Sequence, residues 1–255
     1  MNAPAIDGSL EKWLSAQLLA RAAEFARKNV LLDVGGYHGD FAAQFIGLKG
    51  GPFGRAILFE PNPENFSHLK NRFQGHEEIQ AERLACDVSA GSKTFFCQGE
   101  TYTGSLLPYD KRPDSRPVAE FSVNAVVLDD FLAAQNVRSQ IGLIKIDTQG
   151  NDLRVLQGAS ATLRESRPWI VVELMYAPHY VGQASPLELT QWLREAGYFL
   201  AAQFNEYYTA DGWLAWSDAC FVPDECRGPR QKEFFPRPIP PEPRPQKGFW
   251  RRSKN

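Results

Sequence analysis

Long apolar runs are missing from this chain of 255 residues. No stretch approaches the roughly 20 consecutive apolar residues that a membrane-spanning helix needs. The N-terminus has no basic segment leading into an apolar one, so no secretory signal is expected. Cysteine is scarce as well. Cys86, Cys97, Cys220 and Cys226 show no CxxC spacing, which argues against a zinc site or a disulfide framework and for reduced thiols in a cytoplasmic protein. No internal repeat is apparent. What is present is ordinary in proportion: 43% hydrophobic and 23% charged residues, as in a soluble globular chain long enough to bury a sizeable core.

The net charge of −2 conceals an asymmetry. From Cys226 to Asn255 there are nine Lys/Arg against two Glu, together with seven of the 18 prolines, so this end carries +7 and residues 1–225 carry −9. Such a segment holds little that could form a core and reads as an extended, disordered tail over residues 225–255. Its charge, interleaved with Phe and Trp, suits an anionic surface or an acidic partner; a solubilising linker is the alternative. Nucleic acid is not an expected partner.

Between the ends the pattern is regular. Residues 9–28, "SLEKWLSAQLLARAAEFARK", place Trp13, Leu14, Leu18, Ala22 and Phe25 on one helical stripe, an amphipathic extension covering residues 1–29. Strand-like and helix-like segments then alternate: "VLLDV", a helix from Phe41, "RAILFE", a helix from Pro63, and "AERLACDV". Alternation of this kind predicts an α/β domain over residues 30–224, a mostly parallel sheet with helices on both faces. Asn62 before Pro63, and Ser185 with Pro186 and Glu188, are helix-start signals. The last two strands, around Asp211-Gly212, read as an antiparallel hairpin.

The chemistry is concentrated where strands end. In "LLDVGGYHGDF" a buried strand breaks into Gly35, Gly36 and Gly39, a turn that lets a ligand approach bare backbone. The GxGxxG fingerprint fails, because Tyr37 stands where the second glycine belongs. Asp33 is also a poor neighbour for a pyrophosphate and suits a ligand with a cationic end. Glu60 closes "RAILFE" 24 residues beyond Gly36, the place where an acid accepts both hydroxyls of a ribose. Asp87 closes "LACD" and could accept from the exocyclic amine of an adenine, with Val88 packing on the ring; an ordinary turn aspartate is the alternative. Asp147 ends "LIKID" and Glu173 ends "IVVE". All five acids are expected along one rim, the carboxyl edge of the sheet.

Taken together, "LLDVGGYHGDF", "ILFEPNPENFSHL", "LACDVSAGSKTFF", "KIDTQGNDLRVLQGA" and "DGWLAWSDACFV" resemble the FkbM-type methyltransferases over roughly Val30 to Pro223. The resemblance implies the class I, Rossmann-like methyltransferase fold and S-adenosyl-L-methionine as cofactor. It places Asp33, Gly35, Gly36 and Tyr37 at the methionine part, Glu60 and Pro61 at the ribose, and Asp87 and Val88 at the adenine. It also implies O-methyl transfer to a hydroxyl of a sugar, glycan or natural product. For the general base, Asp147 comes first, followed by Glu173 and then His38, histidine being a residue type suited to base catalysis. Asp147 could instead brace the turn that follows it. Thr103, Ser105 and His179 are candidate acceptor contacts. No metal is expected, since Asp147, Glu173 and His179 lack a ligand spacing. Two other readings stay open: a cofactor-binding module without catalysis, and an NAD-dependent oxidoreductase, which shares the acid after the second strand but not the glycine spacing.

Overall fold

A computed structural model describes residues 9–98, 103–110 and 118–228. The chain divides into two units, Met1–Asp224 and Glu225–Asn255. The basic segment beyond residue 228 lies outside the described residues, as do Thr101 and Tyr102.

The first helix, α1 (Leu10–Ala20), is capped by Ser9, whose hydroxyl accepts from the Lys12 amide. It buries Leu10, Leu14 and Leu18, and Trp13 packs on Trp169 and Phe204. The single helix expected over residues 9–28 is broken at Arg21, and Ala22–Phe25 form a 3₁₀ turn that still buries Phe25.

Then come β1 (Val30–Val34), α2 (Asp40–Ile46), β2 (Arg55–Phe59), α3 (Pro63–Arg72) and β3 (Ile79–Glu82). After β4 (Ala85–Cys86), β5 (Gly91–Gln98), β6 (Thr103–Ser105) and β7 (Val118–Val126), the alternation resumes with α4 (Leu128–Ala134), β8 (Ile141–Ile146), α5 (Asp152–Gln157), α6 (Ser160–Glu165), β9 (Trp169–Met175) and α7 (Pro186–Glu195). The terminal pair is β10 (Tyr198–Tyr208) and β11 (Leu214–Pro223).

The main sheet has seven strands in the order β10-β11-β9-β8-β1-β2-β3. Strands β3, β2, β1, β8 and β9 run parallel, and β11 is antiparallel to both of its neighbours. The wholly buried "VLLDV" and the near-continuous "IGLIKI" and "WIVVELM" are what a parallel sheet covered on both faces requires. One face, with Val30, Leu32, Val34, Ile144 and Ile146, packs on α4–α7 through Leu128, Leu132, Val155, Leu163, Leu189 and Leu193. The other carries Asp33, which pairs in register with Lys145, which in turn pairs with Val171.

A second, four-stranded sheet, β4-β7-β5-β6, departs from expectation. "AERLACDV" is not one strand. It leaves the main sheet after Glu82, and Ala85-Cys86 joins β7 instead. The small sheet has its own apolar cluster of Ala85, Phe95, Cys97, Val123 and Ala125. Alternating residues of β5 and β7 supply that cluster, as a sheet with one buried face requires. Asp87 therefore ends a strand of the small sheet and stands off the main rim. Glu173 lies within β9, opposite Asp218, rather than at its end.

Candidate functional site

Strand order reverses at the carboxyl end of β1, between β2 on one side and β8 on the other, the switch point where open α/β sheets bind ligands. Gly35 occupies it with φ +78°, and a Cβ there would lie 1.9 Å from the Asp147 carbonyl oxygen. Both the Gly35 and Gly36 amides donate to the Phe59 carbonyl, at 2.9 and 3.0 Å. Tyr37, which displaces the fingerprint's second glycine, keeps a left-handed φ of 46°. Its amide donates to Glu60 Oε2 at 2.9 Å. The turn thus retains a glycine-like path at a residue with a side chain, a strain that proteins hold at sites with a function.

Glu60 is buried, and its second oxygen accepts from the Asn62 amide at 2.9 Å. The Asn65 side chain also hydrogen-bonds this carboxylate, and the acceptor capacity that remains is open to a ligand hydroxyl. Burial pushes its pKa up to about 7, against the lowering effect of the Asn62 and Tyr37 amides. Pro61 and Glu60 line a cavity of about 170 Å³ with Phe59, Leu84, Phe95 and Leu106. The ring and aliphatic side chains give it apolar walls, and Glu60, Asn62, Asn65 and Gln149 add polar groups to them.

This carboxylate makes ligand affinity pH-dependent. Hydroxyl donors favour the ionised form, so a ligand that uses them binds with release of a proton when Glu60 is protonated beforehand. Affinity is expected to rise with pH, by at most about tenfold per unit below pH ~7, and to level off above. Glu60→Ala should abolish the slope and weaken binding by ~1.5–3 kcal/mol. Calorimetry from pH 5.5 to 8.5, in buffers of differing ionisation enthalpy, checks both; a flat profile for the native chain would remove Glu60 from the ligand.

Beyond Gly35, Tyr37 and Asp147 opens a wider cleft of about 580 Å³, bordered also by Asp33, Lys145 and Asp218, with the Asp33 carboxylate itself buried. Lys145 Nζ lies 3.1 Å from the Gly35 carbonyl, 3.3 Å from Asp147 Oδ2 and 3.6 Å from Asp33 Oδ1. Burial would lower its pKa, but Asp147 and then Asp33 outweigh this and hold the ammonium above its usual range. Asp33 is pushed up, chiefly by burial. Neither of its oxygens meets hydrogen-bond geometry among the described residues.

Asp147 is the more open acid, with a side chain 40% exposed. Its Oδ1 accepts from Gln149 Nε2 at 3.0 Å. The same nitrogen stands 3.3 Å from Glu173 Oε2, and Tyr180 Oη donates to Gln149 Oε1 at 2.9 Å. Gln149 thus joins the two leading candidate bases, which the sequence placed on separate strands. Burial, then the charges of Asp147, Asp152 and Asp218, hold Glu173 well above the ordinary carboxylate range. A group that keeps its proton is a donor rather than a base at neutral pH, which ranks Asp147 above it. The turn itself is organised by Asp152, which accepts from the Thr148 amide and hydroxyl and the Gly150 amide at 2.8, 3.0 and 3.1 Å. Asp152 thus supplies most of the bracing, while Asp147, bonded to Gln149 of the same turn, borders the cleft.

Several expectations are corrected. Asp87 does not face the cavity. Its carboxylate is gripped by Arg154 at 2.7 and 3.0 Å and by Lys93 at 2.8 Å. Burial would raise its pKa, yet hydrogen bonds from Arg154 and then Lys93 hold it below the usual range. Val88 is exposed and, like Asp87, absent from the cavity wall. His38 lines neither space; its ring stacks on Tyr37 at 3.7 Å and approaches His68 of α3. The Ser105 hydroxyl is buried and donates to the Gln149 carbonyl at 2.8 Å while accepting from the Leu107 amide at 3.0 Å. It fastens β6 to the rim and is not an open acceptor contact. His179 is half-buried, with its ring edge-on to Trp216 at 5.9 Å. The Thr103 side chain falls outside what is described.

Sequence reasoning passed over Lys145, Gln149, Asn151, Asp152 and Arg154. Lys145 had a legible signal, a charge inside "LIKID", since lysine is almost never buried without partners. Among the described residues no group of three or more His, Cys, Asp or Glu is placed to hold a metal ion, and no helix is long and apolar enough to cross a membrane.

A profile of the methyltransferase FkbM domain matches residues 33–200. Among solved structures, the methyltransferase FkbM from Methylobacillus flagellatus KT is similar at 19% identity and a TM-score of 0.49, over 76% of this chain and 44% of that one. This chain thus spans less than half the length of that relative. Precorrin-6y C5,15-methyltransferase from Geobacter metallireducens GS-15 is similar at 11% identity and a TM-score of 0.46, over 86% and 92% of the two chains. The Burkholderia thailandensis 1,6-didemethyltoxoflavin-N1-methyltransferase, with 1,6-didemethyltoxoflavin and S-adenosylhomocysteine bound, is similar at 14% identity and a TM-score of 0.43, over 85% and 79%. No curated protein sequence matches.

Proposed function

The chain belongs to the FkbM methyltransferase family, and from that premise we propose that it is an S-adenosylmethionine-dependent O-methyltransferase acting on a hydroxyl of a sugar, glycan or natural product. The observation that carries the cofactor reading is Glu60, held by the Tyr37 and Asn62 amides in the wall of a cavity at the switch point. The saturation of the glycine turn supports it. The amides of Gly35, Gly36 and Tyr37 are all engaged within the protein, so none of the three is left for the pyrophosphate of a dinucleotide.

Bound S-adenosylmethionine would supply an electrophilic methyl group on a sulfonium. The chain's residues do the rest. Glu60 takes the ribose hydroxyls, the apolar walls take the base, and Gly35 lets the ligand lie against backbone. Asp33, buried at the adjoining cleft, is the acid assigned to the cationic methionine end. Asp147, held at Oδ1 by Gln149 and at Oδ2 by Lys145, takes the proton from the acceptor hydroxyl.

Calorimetric titration with S-adenosylhomocysteine, using NAD as the control, tests the cofactor. Micromolar binding of the first and none of the second is expected, and the reverse would end the reading. Asp147→Asn should lower turnover by about 10²–10⁴-fold while leaving S-adenosylhomocysteine affinity within a few-fold. A parallel loss of both would make Asp147 a structural residue.

A further inference from the structure

We propose that Tyr180 is a positioning residue for the transfer, fixing the direction of the Gln149 amide so that its nitrogen, and not its oxygen, meets Asp147 and Glu173; the inference rests on the reading of Asp147 as the base. An amide has a donor end and an acceptor end of nearly equal shape, and the two ends would treat this pair of acids oppositely. With the nitrogen inward, one N–H goes to Asp147 Oδ1 at 3.0 Å and the other to Glu173 Oε2 at 3.3 Å. With the oxygen inward, an acceptor would face the Asp147 carboxylate and could bond only Glu173, through the proton that Glu173 keeps. Asp147 would then lose the bond that fixes its Oδ1 beside the cleft.

What chooses between the two directions lies on the far side of the amide. Tyr180 Oη stands 2.9 Å from Gln149 Oε1, and a phenol proton there can bond only to an oxygen. The phenol keeps that proton, because burial, and next the neighbouring Tyr109, raise its pKa. Tyr180 is 5% exposed, and its ring lies so close to Gly150 that a Cβ there would come within 3.0 Å of it. Its backbone is tied down as well. The Tyr180 amide donates to Gln183 Oε1 and the Val181 amide to the Pro108 carbonyl, both at 2.8 Å. The Tyr109 side chain is a second hydrogen-bond partner of the phenol. With the one Tyr180 proton on Gln149, Tyr109 is the donor of that bond. Tyr109, Tyr180 and Gln149 thus form a chain of donors that ends on the two acids, each bond polarising the next.

Tyr180→Phe keeps the ring and removes only the hydroxyl, so it tests direction rather than packing. In the full chain labelled with carbon-13 at the glutamate carboxyls, the Glu173 signal is identified by its loss in Glu173→Gln and followed against pH. Without the phenol the amide can turn over, and its oxygen then accepts from protonated Glu173. Glu173 should therefore hold its proton to a higher pH in Tyr180→Phe than in the native chain. Asp147, Asp152, Asp218 and Lys145, the charges that act on Glu173, are common to both proteins and cancel in the comparison. Turnover, followed as S-adenosylhomocysteine formed with a panel of methyl pyranosides, should fall ~2–10-fold, the contribution of one net hydrogen bond, with KM and S-adenosylhomocysteine affinity within about twofold. In an Asp147→Asn background the same change should bring no further loss, since Tyr180 acts only through that acid. A Glu173 titration that Tyr180→Phe leaves in place, or a loss that adds in full to that of Asp147→Asn, would overturn the assignment while the base reading stands. Full turnover in Asp147→Asn would overturn both. If no pyranoside is methylated, the sugar-acceptor reading falls and the titration alone decides.

Discussion

Gly35→Ala should destabilise the protein by roughly 3 kcal/mol or more and cost at least 100-fold in S-adenosylhomocysteine affinity, the two effects having one cause. A left-handed φ costs an L-residue ~1–2 kcal/mol, and at φ +78° the alanine meets that first. The larger part is collision. A Cβ 1.9 Å from the Asp147 carbonyl oxygen cannot be accommodated by a side-chain rotation, because the obstacle is backbone. Either β1 and β8 part at their carboxyl ends or the Asp147 turn is pushed aside. The neighbouring glycine is the control. A Cβ on Gly36 would make ordinary contacts, the nearest at 3.5 Å to Leu58, so Gly36→Ala should stay within about 1 kcal/mol of the native chain. Urea unfolding of both variants measures the difference. Equal losses would mean that the close crossing of β1 and β8 is not what the glycine serves.

Lys145→Met should be nearly as damaging, with a pH signature. Removing the ammonium leaves Asp33 buried beside the partly open Asp147 with no other ion-pair partner among the described residues, and breaking such a pair costs ~3–5 kcal/mol. Asp33 can escape by keeping its proton. Its folded pKa, already raised by burial, then rises further above the unfolded value, so the folded state binds the proton more tightly. Stability in the variant is accordingly fullest below the unfolded pKa, near 3.8, and drains away as pH climbs toward the folded pKa. Urea midpoints of Lys145→Met and the native chain should converge toward pH 4 and separate toward pH 8. Adding Asp33→Asn should recover most of the loss at pH 8. A deficit that ignores pH and is not recovered would show that Lys145 acts through packing.

The parallel sheet was legible because its strands are buried on both faces and announce themselves as apolar runs, with glycines and acids at their ends. Glu60 and Asp147 were legible for the same reason: a charge directly after such a run has to be at the sheet's edge. Asp87 misled by the same logic. "LACDV" ends in an acid like the others, but the chain changes sheets at Arg83-Leu84, and nothing in local hydrophobicity records which sheet a short strand joins. That switch turns the carboxylate toward Arg154, 67 residues away. Gln149 and Asn151 were hidden differently. Gln149 reaches Glu173 and Tyr180, and Asn151 reaches Cys86, partners distant in sequence, and neutral polar residues in a turn are expected for turn chemistry alone. The hairpin was placed correctly at Asp211-Gly212, though β10 continues to Tyr208.

The Ser105 hydroxyl is a splice between two parts of the first unit. Through the Gln149 carbonyl it binds the small sheet to the turn that carries Asp147, and Tyr180 clamps the same glutamine from a third direction. The cavity between them has walls from both parts, Phe95 and Leu106 on one side and Thr148 to Asn151 on the other. A molecule held in the cavity would therefore touch both parts at once, and its binding should slow hydrogen exchange in the small sheet and in the Asp147 turn together.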